Sequence, residues 1–201
     1  MINIRIRFAA VIILVILSSC KKENITEPNL GTSVILPLAS GNTWKYQRNF
    51  IDTLGNTVGN DTVTMTILGP DTIGSTYGYS IINGNFIYNL IQPFGLINRQ
   101  DGLYAATVYP PPTYTKALPF PTIAGDEVVY DNYQVKTKSL QRIVSVPAGT
   151  FTCVEYEVSH YYYHYIVCPE MCCSPNVGII KLSERIGYLT YEYNLISYTI
   201  Y

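Results

Sequence analysis

The chain has 201 residues, and only 13% of them are charged. The first 19 residues hold two of the 13 basic side chains and none of the 14 acidic ones, so the remainder carries a net charge of about −3. Nucleic-acid binding needs a clustered basic surface, and this balance gives no indication of a nucleic-acid partner. Residues 36–201 are numerous enough for a single domain with its own core.

The first 20 residues have the layout of a secretory signal peptide. Arg5 and Arg7 precede an apolar run from Phe8 to Leu17, and small residues follow in Leu17-Ser18-Ser19-Cys20. A helix that spans a bilayer needs about 20 residues, and this run is only half as long. The sequence therefore predicts a signal peptide over residues 1–19, cut between Ser19 and Cys20.

The ending at Cys20 resembles the lipobox of bacterial lipoproteins. That resemblance implies that the Cys20 thiol receives a diacylglyceryl group and that the new amino group is acylated as well, for example with palmitate. The polar sequence from Lys21 to about Ser33 predicts a flexible tether, so residues 20–35 form the lipidated cysteine and its linker. The alternative is an ordinary signal peptide that happens to end near a cysteine.

The resemblance implies a location as well. Cys20 followed at once by Lys21-Lys22-Glu23 looks like the start of outer-membrane or surface lipoproteins in one large bacterial group. We therefore expect a protein of the bacterial cell envelope that is attached to the outer membrane. Its lipid anchor makes that membrane its first binding partner. Whether the domain occupies the periplasmic or the surface face stays open.

Composition and periodicity after the tether indicate strands. Tyrosine is abundant, with 19 residues, and Val63, Met65 and Ile67 alternate with threonines as in a half-buried strand. Trp44, the single tryptophan, is predicted to be a core residue. A hairpin is predicted over about 76–91 with its turn at Asn83-Gly84, and further turns at Asp101-Gly102 and Pro147-Ala148-Gly149. Further strands are predicted at Tyr133–Val146, Phe151–Val158, Ile179–Leu182, Tyr188–Tyr193 and Leu195–Ile200.

These elements predict one all-β domain over residues 36–201, an antiparallel β-sandwich or a (half-)barrel, with little or no helix beyond the signal peptide. Residues 109–121 interrupt the pattern, because Pro110, Pro111, Pro112, Pro119 and Pro121 cannot join a central strand. We expect this segment to cross between two halves of the sheet.

Three short motifs occur in order along the chain: Ser40-Gly41-Asn42-Thr43-Trp44-Lys45-Tyr46, Val146-Pro147-Ala148-Gly149-Thr150-Phe151, and Asn176-Val177-Gly178-Ile179-Ile180-Lys181. Through this ordered set the chain resembles uncharacterised bacterial lipoproteins over most of its mature length. Those proteins have no agreed activity, so the resemblance implies a class and no chemistry. A looser fold-level analogy links the chain to the half-open barrels of periplasmic lipoprotein carriers.

An aromatic run from His160 to Tyr165 is a candidate ligand platform. On a strand, Tyr161, Tyr163 and Tyr165 share one face, where their rings would bind a sugar or an acyl chain. The alternative is cross-strand aromatic packing with a few exposed rings. His160 and His164 would lie about 13 Å apart on one strand, too far to hold a single metal ion.

Four cysteines remain after Cys20 is lipidated: Cys153, Cys168, Cys172 and Cys173. An even number in an oxidising compartment predicts disulfides, with three pairings open. If Val158 pairs with Tyr163 around a tight turn, Cys153 faces Cys168 at bridging distance. A zinc site is disfavoured because C-x-x-C pairs are missing.

No hydrolase elbow, zinc-protease motif or phosphate loop is present, so we expect no enzyme, no metal and no cofactor. Glu184 is assigned to a solvated strand end. The leading hypothesis is a binding or carrier module for an apolar or lipid-like ligand. The alternatives are a surface glycan-binding module and a structural or assembly lipoprotein with a protein partner at the envelope.

Overall fold

The computed structural model describes residues 33–73, 76–82, 95–106, 114–130, 132–163 and 166–201, with the backbone alone for 71–73, 76–82, 106 and 130. These residues form strands and no helix, so nothing helical in them could cross a membrane. The strands are β1 (Thr43–Ile51), β2 (Thr57–Ile73), β3 (Thr76–Ile82), β4 (Leu96–Arg99), β5 (Gly102–Ala106), β6 (Tyr114–Pro119), β7 (Glu127–Tyr130), β8 (Tyr133–Val146), β9 (Gly149–His160), β10 (Ile166–Ser174), β11 (Gly178–Ile186) and β12 (Leu189–Thr199).

The alternating pattern predicts the buried face of β2 correctly. Met65 and Ile67 are buried and Thr64 is exposed. The strand predicted from Tyr133 to Val146 is β8, with the same bounds, and the Asp101-Gly102 turn joins β4 to β5. The predicted turn at Asn83-Gly84 and the triple proline at 110–112 lie outside the described residues.

The strands form one antiparallel sheet in which β1 to β6 pair in chain order, β7 to β12 pair in chain order, and β1 pairs with β12 to join the two series. The two edges of the sheet are β6 and β7, which follow each other along the chain. Among the residues that the structure describes, β3 and β4 pair through Tyr79 and Leu96 alone. The strand order is β6-β5-β4-β3-β2-β1-β12-β11-β10-β9-β8-β7.

A hydrogen bond across the fold shows that this sheet curls. The Tyr156 hydroxyl in β9 donates to the Pro119 carbonyl in β6 over 2.8 Å. A flat sheet would hold these two strands about 40 Å apart, since neighbouring strands are spaced by 4.7–4.9 Å. The all-β prediction is thus confirmed, and the architecture is of the sandwich or half-barrel type.

The core inside the curl is filled by large aromatic side chains whose polar tips are fixed on the backbone. Trp44 is fully buried, as predicted, and its Nε1 donates to Val177 O at 2.5 Å. The Tyr46 hydroxyl donates to Ile179 O at 2.9 Å. Buried Tyr and Trp groups need such partners, because an unpaired polar group costs about 1–3 kcal/mol.

The chain enters the fold beside the turn that joins β10 to β11. Val34 and Asn176 exchange two hydrogen bonds, from Val34 N to Asn176 Oδ1 and from Asn176 N to Val34 O. Ile35 and Leu36 follow as buried core residues, and Asn98 Nδ2 donates to Leu36 O. We call this side of the sheet the N-terminal end.

The hairpin of β8 and β9 folds back onto the junction of β1 and β12. Its predicted turn at Pro147-Ala148-Gly149 is confirmed, and Ala148 N donates to Leu195 O at 3.0 Å. The β1–β12 register shifts between Lys45 and Tyr46, which interrupts the ladder beside Leu195. Because of this bulge, the Leu195 carbonyl accepts a hydrogen bond from outside the β1–β12 ladder, from Ala148 N.

Gly102 tests how tightly the β5–β6 pair is packed. A Cβ at Gly102 would lie 2.2 Å from Leu118 O, and its φ of 147° disfavours side chains. Gly55 also has a positive φ, 84°, but a Cβ there would meet nothing within 4 Å. We expect Gly55→Ala to lower the free energy of unfolding by about 1–2 kcal/mol, because alanine is strained at this φ. Gly102→Ala should lower it by the same φ strain and by an additional ~1–3 kcal/mol, because its Cβ would also clash with Leu118 O. Urea unfolding of both variants measures the difference, and equal costs would contradict this packing.

Candidate functional site

The aromatic run after β9 is a turn, so the predicted platform on a strand is wrong. β9 ends at His160, and residues 161–163 reverse the chain toward β10. Tyr161 N donates to Asn132 O at 2.6 Å, which holds the turn against the start of β8. Tyr161 and Tyr163 therefore do not alternate across a sheet, while His164 and Tyr165 lie outside the described residues.

The rings in this turn are held in place and remain exposed. The His160 ring centroid lies 4.7 Å from that of Tyr163 and 5.8 Å from that of Tyr133. Tyr161 and Tyr162 meet edge to face at 5.3 Å. Tyr161, Tyr162 and Tyr163 are nevertheless 41%, 67% and 73% exposed. The turn thus holds three aromatic rings at the surface in a fixed mutual arrangement.

Two other turns lie at the same end of the sheet. Ile51, the last residue of β1, pairs with both Thr57 in β2 and Thr190 in β12, so the β1–β2 and β11–β12 turns are neighbours. Their tips carry Leu54, 84% exposed, and Tyr188, 89% exposed. We call this side the tyrosine end and define it by Leu54, Tyr161, Tyr162, Tyr163 and Tyr188.

The turns of the tyrosine end lie in a row along one side of the sheet, opposite the N-terminal end. Successive hairpin turns are two strands apart, about 10 Å, so the row extends about 20 Å from Leu54 to the Tyr161–Tyr163 turn. β10 begins beside this row at Ile166 and ends near Asn176, nine residues and about 30 Å away. Sequence reasoning missed Leu54 and Tyr188, although an apolar residue beside a turn glycine, Gly55 or Gly187, is a signal that could have identified them.

A buried polar cluster lies just inside the tyrosine end. Glu184 is 4% exposed, so its assignment to a solvated strand end is wrong. Tyr193 OH donates to Glu184 Oε1 at 2.6 Å. Glu184 shares a face of β11 with buried Ile180 and Leu182, and this period-two pattern was the available signal.

Arg48 completes that cluster from β1. Its guanidinium donates two hydrogen bonds to the Asp61 carboxylate and lies 5.2–5.9 Å from the ring centroids of Phe50, Tyr191 and Tyr193. Burial raises the pKa of Glu184, while the Tyr193 hydrogen bond and the Arg48 charge act in the opposite direction. The cluster joins β1, β2, β11 and β12 beneath the exposed turns.

The four cysteines are buried free thiols in the structure. The predicted pairing of Val158 with Tyr163 is wrong, because Val158 lies opposite Cys168 and Ser159 lies opposite Ile166. The connection between β9 and β10 is longer than the predicted tight turn, which moves Cys168 five residues along β9 from Cys153.

The observed register also separates the remaining thiols. The residue opposite Cys153 in β8 is Arg142, and the residues opposite Cys172 and Cys173 in β9 are Glu155 and Val154. No two of the four cysteines therefore face each other directly in these ladders.

The comparisons with known proteins give fold similarity alone. No family model and no curated protein matches the chain. A candidate lipoprotein of Parabacteroides distasonis superposes with a TM-score of 0.42 and 16% identity, over 84% of this chain and 99% of that one. A candidate exported protein with a YmcC-like fold from Bacteroides fragilis gives a TM-score of 0.37 and 14% identity, over 84% and 100%. Similarity at this level carries no argument about activity. The proposed lipidation and cleavage residues, Cys20 and Ser19, lie outside the described residues.

Burial makes the thiols unreactive in the folded protein. It raises the pKa of Cys153 to about 12 and raises those of Cys168, Cys172 and Cys173 as well. Because the thiolate is the reactive form, we expect almost no reaction of folded Lys21–Tyr201 with a thiol reagent at pH 8. Four thiols should react after unfolding without reductant. If only two thiols or none reacted after unfolding, the protein would contain disulfides, which the observed strand register does not predict.

Proposed function

We propose that the chain is an exported, lipid-anchored, non-catalytic lipoprotein of the bacterial cell envelope, in the outer membrane, that binds an apolar or lipid-like ligand. The observation that carries the binding role is the tyrosine end. The anchor is inferred from Leu17-Ser18-Ser19-Cys20 in the sequence.

The exposed side chains of the tyrosine end support a binding surface. Exposed apolar residues that cluster at one place on a soluble domain mark an interaction site more often than single scattered ones do. Leu54 and Tyr188 are more than four-fifths exposed and lie in neighbouring turns. An apolar ligand that covered them would gain roughly 25 cal/mol for each Å² of apolar surface removed from water.

The filled core favours a ligand site on the surface over one inside the half-barrel. Trp44, Tyr46 and Tyr156 occupy the interior, and backbone carbonyls fix the polar tip of each ring. A ligand in their place would have to break these hydrogen bonds, and each broken bond leaves a buried polar group unpaired. The carrier hypothesis in its interior form is therefore the weaker one.

A glycan ligand is the second candidate. The observation in its favour is that the exposed rings are tyrosines, whose flat faces stack on sugars and whose hydroxyls form hydrogen bonds. A structural role with a protein partner would use the same residues, since tyrosine is enriched at protein interfaces.

The lipid anchor predicts a clear result for one substitution. Cys20→Ala removes the thiol that accepts the diacylglyceryl group, so we expect complete loss of metabolic labelling with a clickable fatty acid and release from the membrane fraction. Cys153→Ala is the matched control and should label like the parent, because the buried Cys153 plays no part in lipidation. Labelling of the Cys20→Ala protein would refute the lipobox assignment.

The ligand class is tested by native mass spectrometry of Lys21–Tyr201 produced in the periplasm. We expect an adduct that fragments as a lipid. Tyr161→Ser with Tyr163→Ser should lose the adduct, whereas Tyr201→Ser should keep it, because Tyr201 is 82% exposed but lies at the N-terminal end. A mass without adduct would favour the glycan or protein-partner alternatives, to be followed by glycan arrays and crosslinking.

A further inference from the structure

We propose that the tyrosine end docks on the lipid bilayer that holds Cys20, so that the protein contacts its membrane at two points, the acyl anchor and these turns. The proposal rests on the lipid anchor of the proposed function and adds to it the place, the orientation and the chemistry of the ligand surface.

The Leu54 turn is held together by hydrogen bonds that do not involve the Leu54 side chain. The Asp52 carboxylate organises this turn by accepting hydrogen bonds from Leu54 N at 2.9 Å and Asn56 N at 2.8 Å. These donors belong to the backbone, so almost any side chain at position 54 would leave the turn intact. The Leu54 side chain, 84% exposed, is therefore available for a contact outside the domain.

The composition of this end favours a bilayer over a glycan. Val58, Ile166 and Ile186 lie beside the turns and are 59%, 38% and 43% exposed. Together with Leu54, these aliphatic side chains offer a sugar neither a ring to stack on nor a hydrogen bond. In contrast, tyrosine is enriched at the boundary between lipid and water, and leucine is favourable in the acyl region below it.

The charges at this end are compatible with lipid phosphates. The Asp52 carboxylate is occupied by backbone N–H groups, and that of Asp61 is paired with Arg48. Arg185, exposed next to Ile186, forms no ion pair within the described part of the chain. A guanidinium in this position suits the bidentate binding of a phosphate group.

The length of the linker allows this end to reach the membrane. The described chain begins at Ser33, at the N-terminal end, and the tyrosine end is about 30 Å away along β10. The thirteen steps from Cys20 to Ser33 span at most about 45 Å when fully extended. The anchored domain can therefore turn its tyrosine end toward the same bilayer.

The anchor also lowers the affinity that docking requires. A domain held within one linker length of the membrane meets it at a high effective concentration, so a contact too weak for a free protein becomes well populated. The two or three acyl chains implied at Cys20 already hold the protein stably on the membrane, so the docking contact does not have to supply the attachment itself. A few exposed side chains are therefore sufficient.

The test uses the full lipidated chain in vesicles of phosphatidylethanolamine and phosphatidylglycerol, with an environment-sensitive dye on Leu54→Cys. The four native cysteines are at most 2% exposed, so the dye reacts at the new site. We expect a blue shift and strong quenching by a lipid-borne quencher. The matched control is Ile123→Cys, 66% exposed in the loop before β7 at the N-terminal end, which should show neither.

Two further variants separate docking from simple proximity. Deleting residues 24–29 shortens the linker to at most about 25 Å, less than the length of β10, and should abolish quenching at Leu54→Cys while the protein stays anchored. The second variant carries the dye at Tyr163→Cys and combines Leu54→Asp with Tyr188→Ser. We expect its ratio of docked to undocked protein to be at least about tenfold lower than that of the chain with the dye alone, because burial of one leucine contributes more than a tenfold factor.

The outcomes distinguish failure of the docking from failure of the anchor. A protein that does not enter the vesicles refutes the anchor. An anchored protein whose dye at Leu54 is quenched no more than the dye at Ile123, or is quenched equally with the short linker, overturns the docking. Energy transfer between labelled copies without lipid quenching assigns the tyrosine end to contacts between copies and also overturns it.

Discussion

The pairing of β1 with β12 is the constraint on which the rest of the structure depends. All other pairs among the described strands join neighbours in sequence, so without this ladder those strands would form two separate meanders, β1–β6 and β7–β12. The ladder places Tyr46 opposite Leu195 and Arg48 opposite Tyr193. The first pair belongs to the shared core, and the second brings Arg48 to the buried Glu184. Closing so long a loop costs little more than closing a short one, since the entropy grows only with the logarithm of loop length.

The same pairing decides which groups lie at each end of the sheet. In an antiparallel meander the turns alternate between the two ends, so the position of one turn determines that of the others. Val34 is held at the turn after β10, and the turns before β2, β10 and β12 lie at the opposite end. The point where the chain enters the fold and the exposed tyrosines are therefore separated by the length of a strand. The proposed membrane attachment and the proposed ligand contact thus belong to opposite ends of one sheet.

Local patterns predicted the strands well, because a half-buried strand repeats its polarity every two residues. Met65 and Ile67 in β2 and the bounds of β8 followed directly from that period. The site was harder to predict. The run of tyrosines after His160 has strong strand propensity, but the chain must reverse before β10, and tertiary structure overrode propensity. The cysteine register failed for the same reason, since a longer connection shifts every pair that follows it.

Long-range contacts were outside the reach of local patterns. The hydrogen bond between Glu184 and the Tyr193 hydroxyl could not be predicted from the residues around Glu184, because the two side chains meet only when β11 and β12 pair. The bond from Ala148 to Leu195 depends on a bulge between β1 and β12, and such bulges leave little trace in a single sequence. The sequence segments around Trp44, Ala148 and Val177 nevertheless converge on this junction, where each supplies a hydrogen bond or a buried ring.

Tyrosine serves two opposite purposes in this protein, and the contrast favours a surface function. Inside the curl, Tyr46 and Tyr156 donate their hydroxyls to backbone carbonyls, which fixes each ring in a filled core. At the tyrosine end, Tyr162 and Tyr188 are largely exposed at turn tips. An amphipathic ring is most favourable where one side is apolar and the other is wet, which is the situation at a membrane surface. Because the interior rings already satisfy their polar groups within the fold, the proposed surface function rests on the exposed rings.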